Sequence, residues 1–526
     1  MPRSSSISSK WWRAVPLAFG LVVLLIGSYI YFFPASIERR MRSTLIQALT
    51  DRFHSQVELN DLQVRAFPTP NVIGTGLTIL NRNRTDMPPL IHIGRFSFSV
   101  GVLGLLRPVK RISVVRIQNV LVTIPPHERS KAARTSPAAI PRIVVDEMIC
   151  DDIDIRILPK NPEKPPLDWD IHNLLLTSAG AEKPFAFQGN LTNGKPVGEI
   201  VTHGRFGPWD AEDPGGTPVS GEYDFSNADL GPFPGIAGIL SSSGKYDGEL
   251  SNLEVSGHTD TPDFSLDKVG KAVPLHTEFS ATVDGTDGDT YLHPVNATLV
   301  RSLIIAEGKV VRVPEKQGHF ISINATVPNG RIQDFLDLAV NSEKPFLTGP
   351  VKIKAQLAIP PGQERMIEKM IVDGQFGVED ANWNNPEIRE KLESLSRHAM
   401  GKPEDEQIGS SVSDLAGSFI MKDGIVRFRQ LNFSVEGADI QLAGTYGLRK
   451  GDLDFSGRLR LQAKLSQTTT GAKSFFLKAV DPFFAKNGAG TDLPIRITGT
   501  RQNPILSVTV FHKTFDKHIT ADKSKM

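Results

Sequence analysis

The sequence predicts a mainly β protein: an N-terminal transmembrane helix leading into one elongated antiparallel β-sheet or stacked β-modules, with a few short capping helices. Three observations carry that expectation. Residues Val15–Phe33 form one uncharged apolar run. From residue 55 onward apolar side chains recur with period two, the spacing of strands with one greasy and one wet face. Asx-Gly pairs punctuate these runs and supply the positive φ angles that tight hairpins need.

Composition narrows the class first. A chain of 526 residues exceeds one ordinary core and implies about two to four structural units. Hydrophobic residues at 40% and charged residues at 22% describe a folded chain, not a disordered one. The net charge is +1, and no basic run is interleaved with aromatics, so a nucleic-acid partner is disfavoured. Cys150 is the single cysteine, which excludes an intramolecular disulfide. No histidine or basic residue flanks it, so it reads as a small, partly buried residue and not as a reactive thiol.

The apolar run comes next. Its 19 residues reach ~28 Å at ~1.5 Å per residue, about one hydrocarbon core. Trp11 and Trp12 flank one end, and Tyr29 and Tyr31 stand near the other, as interfacial aromatics should. Bulky Tyr31, Phe32 and Phe33 occupy the place where small residues precede a signal-peptide cut, so the segment reads as an uncleaved anchor. Arg3, Lys10 and Arg13 before the span are balanced by Arg39, Arg40 and Arg42 after it, and the charge count alone barely orients it. Beyond it, Ile37, Met41, Leu45, Leu49 and Phe53 recur every fourth residue, the stripe of an amphipathic helix. Such a stripe fits a helix covering a sheet or one lying on a membrane surface.

The strand pattern follows. Leu453, Phe455, Leu459, Leu461, Ala463 and Leu465 alternate with Asp454, Ser456, Arg458, Arg460, Gln462 and Lys464. Val351, Ile353, Ala355, Leu357 and Ile359 alternate with Lys352, Lys354 and Gln356; Leu275, Phe279, Ala281 and Val283 alternate with His276, Glu278, Ser280 and Thr282. If the greasy faces line an open groove, its candidate lining is Leu275, Phe279, Val351, Ile353, Leu357, Phe455, Leu459, Leu461 and Leu465. If they close on one another, the same residues form a sandwich core, because both give identical alternation. Turns are expected at Asp247-Gly248, Asp284-Gly285, Asp287-Gly288, Asn329-Gly330, Asp373-Gly374 and Asp423-Gly424. Helical spacing appears at Arg331–Val340, Glu364–Ile371 and Pro386–Met400, the last with proline in its first turn and Gly401 after its end. Arg129–Pro141 and Asp210–Pro218 read as polar linkers, and the tail beyond Phe511 as frayed.

The search for chemistry is negative. No H-E-x-x-H, paired C-x-x-C or Gly-x-Ser-x-Gly occurs. Gly74-Thr75-Gly76 lacks the third glycine of a dinucleotide loop and reads as a β-turn. In Gly471-Ala472-Lys473-Ser474 the alanine breaks the Gly-Lys step of a P-loop. Asp284-Gly285-Thr286-Asp287-Gly288-Asp289 gathers three carboxylates but fails the EF-hand order at Thr286 and Val295, and reads as a polar hairpin tip. The 12 histidines show no convincing i, i+4 pair. No catalytic residue, metal ligand or cofactor is expected, and the chain reads as a non-enzyme.

Several stretches resemble the AsmA family of bacterial envelope proteins and its TamB-like relatives: Val57–Pro70 (VELNDLQVRAFPTP), Gly104-Leu105-Leu106-Arg107, Leu392–Pro403 (LESLSRHAMGKP), Phe419–Leu448 and Leu493–Leu506 (LPIRITGTRQNPIL). The resemblance covers both ends, and residues 160–300 only by general pattern. It divides the chain into an anchor (1–36), an AsmA-like N-terminal module (37–128), a linker (129–141), a central β-rich region with short helices (142–410), an AsmA-like C-terminal β module (411–511) and a polar tail (512–526). It implies a single-pass inner-membrane protein held by residues 15–33, its N-terminus cytoplasmic and its bulk periplasmic. It further implies that the elongated, curved antiparallel β-sheet is groove-like, and that the role is carriage of phospholipid along this apolar β-groove in support of outer-membrane biogenesis, with envelope protein partners. A periplasmic scaffold or assembly factor that carries no lipid is the alternative.

Overall fold

The computed structural model describes residues 34–53, 55–65, 71–81, 88–99, 110–124, 143–158, 167–180, 184–194, 196–208, 214–266, 270–313, 316, 318–340, 343–362, 364–405, 412–468, 490–500, 503–510 and 513–518. The expected span Val15–Phe33, the linker Arg129–Pro141 and the Gly471–Ser474 segment lie outside them. Among the described residues no helix is long and apolar enough to cross a membrane. The protein is mainly β, with few helices. It divides into two compact units: 1–194 with 199–223 and 247–251, and 195–198 with 224–246 and 252–526.

The first unit opens with α1 (Pro34–Phe53), followed by β1 (Val57–Arg65), β2 (Asn71–Ile79), β3 (Ile91–Ser99), β4 (Lys110–Ile124), β5 (Ile143–Ile157), β6 (Leu167–Gly180) and β7 (Phe185–Gly194). Met41, Leu45, Leu49 and Phe53 of α1 pack on a core that includes Val57, Leu59, Leu62, Val72, Leu77 and Phe96. The stripe that sequence left open between sheet and membrane therefore covers the sheet. Among the described residues β1 pairs with β2 alone, and α1 closes its free edge. Val64 N–H donates to Glu38 Oε1 at 3.1 Å, and the Arg42 guanidinium donates to the Leu59 carbonyl. An edge strand satisfied in this way is no template for another chain.

From β1 to β7 pairing is antiparallel except for β4 and β5, which run parallel from Lys110 opposite Ile143 to Ile124 opposite Ile157. The wholly antiparallel expectation is corrected here: the sheet is mixed. Residues 125–142 are long enough to return the chain to the end where β4 began, and a parallel pair needs such a crossover of about a dozen residues. Gly74 and Gly76 lie inside β2, not in a turn. Cys150 sits in this core at 5% exposure. Burial, then the neighbouring Asp151 carboxylate, push its thiol up to about 12.

Four strands follow, β8 (Val197–Phe206), β9 (Pro218–Asp229), β10 (Ile236–Ala237) and β11 (Ile239–Glu249). The second unit then continues through β12 (Asn252–Leu266), β13 (Val273–Val283), β14 (Thr290–Leu299), β15 (Ser302–Arg312) and β16 (His319–Arg331). After α2 (Ile332–Ala339) come β17 (Leu347–Thr348), β18 (Pro350–Ile359), α3 (Met366–Lys369), β19 (Ile371–Trp383) and α4 (Pro386–Ala399). The last strands are β20 (Ser413–Lys422), β21 (Ile425–Val435), β22 (Ala438–Gly447), β23 (Asp452–Leu461), β24 (Thr491–Thr500), β25 (Pro504–Val510) and β26 (Lys513–His518). From β12 to β26 the strands pair antiparallel, and β26 pairs with β25 alone among the described residues, so the sheet of this unit does not close on itself.

Asp423-Gly424 forms the expected tight hairpin, with φ of 54° and 70°. Three other expected turns are corrected. Asp373-Gly374 lies inside β19, Asp247-Gly248 inside β11, and Asn329-Gly330 inside β16 at a shift of register between Val327 and Gly330. The helices form close to where helical spacing placed them. Asn385 Oδ1 accepts the Ile388 N–H at 3.2 Å, capping α4. Buried Asp334 of α2 accepts from Ser302 Oγ at 2.8 Å and Arg301 N–H at 3.2 Å, while Lys271 Nζ reaches Asp337 at 3.0 Å. These bonds fasten α2 to the strand ends beneath it.

Candidate functional site

Register converts the period-two pattern into apolar rungs crossing the strands of the second unit. One rung runs Ile353, Phe376, Gly417, Leu431, Leu442, Gly457 and Ile495 across β18 to β24. The next runs Ala355, Gly374, Phe419, Phe428, Gly444, Phe455 and Ile497. Aromatic rings join the rungs. Centroids are 6.4 Å apart for Phe376 and Phe419, 5.8 Å for Phe419 and Phe428, and 5.7 Å for Phe428 and Phe455. Each distance lies in the range where ring pairs attract. The aromatics stand against glycines: a Cβ on Gly374 would meet Phe419, and one on Gly417 would meet Phe376 at 2.9 Å.

Helices cover only part of this face. Ile332, Phe335 and Leu336 of α2 pack on Leu347, Val351, Val378 and Ala381. Leu392, Leu395 and Ala399 of α4 pack on Val435, Ala438 and Leu461. Between and beyond these covers, Ile353, Leu357, Leu431, Leu442 and Leu459 keep part of their surface in solvent.

The residues expected from sequence to line a groove divide accordingly. Val351, at 1% exposure, lies beneath α2, and Leu461, at 9%, beneath α4. Phe455 is buried in the aromatic seam. Ile353, Leu357 and Leu459 stand on open rungs, and Leu275 and Phe279 are partly exposed on β13. Leu465 does not belong to the rungs, because β23 ends at Leu461 and Leu465 opens a 3₁₀ turn. The strand stops where the Ala463 N–H donates to the Ala399 carbonyl at 2.7 Å, an acceptor left free by the end of α4. Phe376, Phe419 and Phe428 were not singled out from sequence, although each stands on the apolar parity of its strand.

The opposite face is wet and ion-paired. Arg458 Nε donates to Asp492 at 2.8 Å, and that bond holds the guanidinium above its usual range. Lys352 meets Glu379 at 3.0 Å, and Arg429 meets Asp373 with both terminal nitrogens. The acidic loop between β13 and β14 uses its own carboxylates. Asp284 Oδ1 accepts the Thr286 N–H at 2.8 Å, Asp287 Oδ1 the Asp289 N–H at 3.0 Å, and Asp289 Oδ1 the Arg312 N–H at 2.6 Å. Among the described residues no group of three or more His, Cys, Asp or Glu is placed to hold a metal ion. The open apolar face is suited to an extended, nonpolar ligand, which needs contact area and no directed polar group.

No protein-family model, curated protein or solved structure matches the chain.

Proposed function

We propose that this protein carries phospholipid along the open apolar face of its sheet, anchored in the inner membrane by residues 15–33, with its body in the periplasm. In this reading it moves lipid toward the outer membrane and supports outer-membrane biogenesis, as its resemblance to AsmA-like proteins implies. The observation that carries the reading is the partial exposure of Ile353, Leu357, Leu431, Leu442 and Leu459, side chains that a sandwich would bury. Acyl chains gain ~0.8 kcal/mol per buried CH₂. Such a face can therefore hold a lipid tail without a polar pocket, while the headgroup stays in water.

The test is photo-crosslinking in cells from a benzophenone side chain at Leu357, with Leu461 beneath α4 as the internal control. Phospholipid captured from Leu357 and not from Leu461 supports carriage. Protein crosslinks without lipid at Leu357 would leave the scaffold reading in its place.

A further inference from the structure

The wet face of the second unit carries a feature that neither the fold nor lipid carriage uses. Two neighbouring rungs, Lys354–Gln375–Ser418–Gln430 and Lys352–Gly377–Ala416–Asn432, sit on the face opposite Ile353 and Phe376. With Thr326, Val327, Pro328, Ile353, Phe376 and Gly417 they line a basin of about 550 Å³, within the range of small-molecule sites. Three observations distinguish it from plain solvated surface.

The first is Gly377. A glycine inside a strand weakens it and marks either a steric need or the close approach of another molecule. Gly374 and Gly417 meet a steric need, since their Cβ atoms would strike Phe419 and Phe376. Around Gly377 no atom lies within 4 Å of where a Cβ would stand, and its φ is outside the left-handed region. Neither backbone nor packing requires glycine there. The second is Asn432, whose Oδ1 is buried without a hydrogen-bond donor. A buried acceptor left without a donor is destabilising, and a ligand donor would relieve it. The third is Lys354. Its neighbour Lys352 is paired with Glu379, whereas Lys354 has no ion-pair partner among the described residues, and it lines the basin.

We propose that this basin binds a small hydroxylated anion, its phosphate or carboxylate on Lys354 Nζ, its hydroxyl groups on Gln375, Ser418, Gln430 and Asn432, and its body over Gly377. Its polar rungs lie on the face opposite Ile353 and Phe376, and its test is independent of lipid carriage. The anion can come free in solution or as the headgroup of a lipid, and the probes separate these sources.

Calorimetric titration of the full chain in detergent, with sn-glycerol 3-phosphate and gluconate as free anions and glycerol as the neutral control, reads the site directly. Vesicles of phosphatidylglycerol, compared with phosphatidylcholine, read the headgroup source. Saturable binding of at least one anionic probe, without binding of glycerol or phosphatidylcholine, is expected. Lys354→Gln should weaken it at least about tenfold through loss of a charge-assisted bond. Gly377→Val should abolish it, with the melting temperature of the unliganded protein kept. Gly377→Ser serves as a second variant should valine disturb the strand. The proposal is overturned if no anionic probe saturates, or if binding persists undiminished in the folded Gly377 variants.

Discussion

The ring of Phe419 lies across Gly374 of the neighbouring strand, so close that a Cβ on Gly374 would stand 2.8 Å from Phe419 Cζ. The two residues face each other directly in the register of β19 and β20. Phe419 in turn touches Phe376 and Phe428, so one missing side chain sets the position of an aromatic seam.

Gly374→Ala should therefore destabilise the protein by about 1–3 kcal/mol, the usual range for overpacking. Gly377→Ala, three residues along the same strand, meets nothing within 4 Å. It should be neutral or stabilise by up to about 1 kcal/mol through the unfolded chain. Chemical denaturation of both variants checks the pair. Equal losses would mean that strand propensity, and not the Phe419 contact, governs these sites.

Cys150 should be silent toward thiol reagents in the native protein. With its pKa at about 12, the thiolate at pH 8 is on the order of one part in ten thousand, and the thiolate is the nucleophile. Labelling with a chromogenic disulfide should be slow in buffer and fast in denaturant, which makes this thiol a reporter of unfolding in the first unit. Fast native labelling would show that β5 opens readily around it.

Much of this architecture was legible because its causes are local. The helix over Pro386–Ala399 has its proline, its stripe and Gly401 within one window, and the alternation in Val351–Ile359 marks a strand by itself. Asp373-Gly374 misled because its cause is distant. The pair is a hairpin signal locally, yet the glycine answers to Phe419 on another strand. The parallel pairing of β4 and β5 is a matter of strand direction, and periodicity encodes no direction. Alternation is likewise blind to cover: Val351 under α2 and Ile353 on an open rung are successive beats of one pattern. The basin at Gly377 was invisible for the same reason, since its two rungs unite four strands.

The acidic loop gives a pH signature. The Asp287 carboxyl is held above its usual range, chiefly by burial and then by repulsion from Asp284 and Asp289; the Asp289 N–H and Arg312 oppose the shift. A carboxyl with a raised folded pKa binds its proton more tightly when folded. Its stabilising contribution is present below the unfolded carboxyl pKa and is lost as pH rises through the folded value. At neutral pH the ionised group is a burden. Asp287→Asn keeps an Oδ1 acceptor for the Asp289 N–H and removes the charge, so it should raise the melting temperature at pH 7, with the gain shrinking toward acid pH. A lower melting temperature at pH 7 would contradict the assignment.

Leu459 and Leu461 provide the sharpest contrast, because they share a strand face and differ in cover. Leu461 is 9% exposed, beneath α4 and against Val435 and Ala438. Leu459 packs at the margin of the same cluster and keeps part of its surface in solvent. An aspartate at 461 places a charge where α4 excludes water, with no cation on that face of β23 to pair it. The loss should equal or exceed the about 2–5 kcal/mol of a buried Leu→Ala change, and the folded protein should fall in abundance. At 459 the charge can stay hydrated, so Leu459→Asp should leave the fold nearly intact and repel acyl chains from its rung. The expected result is normal protein level with reduced lipid co-purification for Leu459→Asp, and low protein level for Leu461→Asp. If both variants lose the folded protein alike, the rung at Leu459 is a packed core and lipid carriage along it is ruled out.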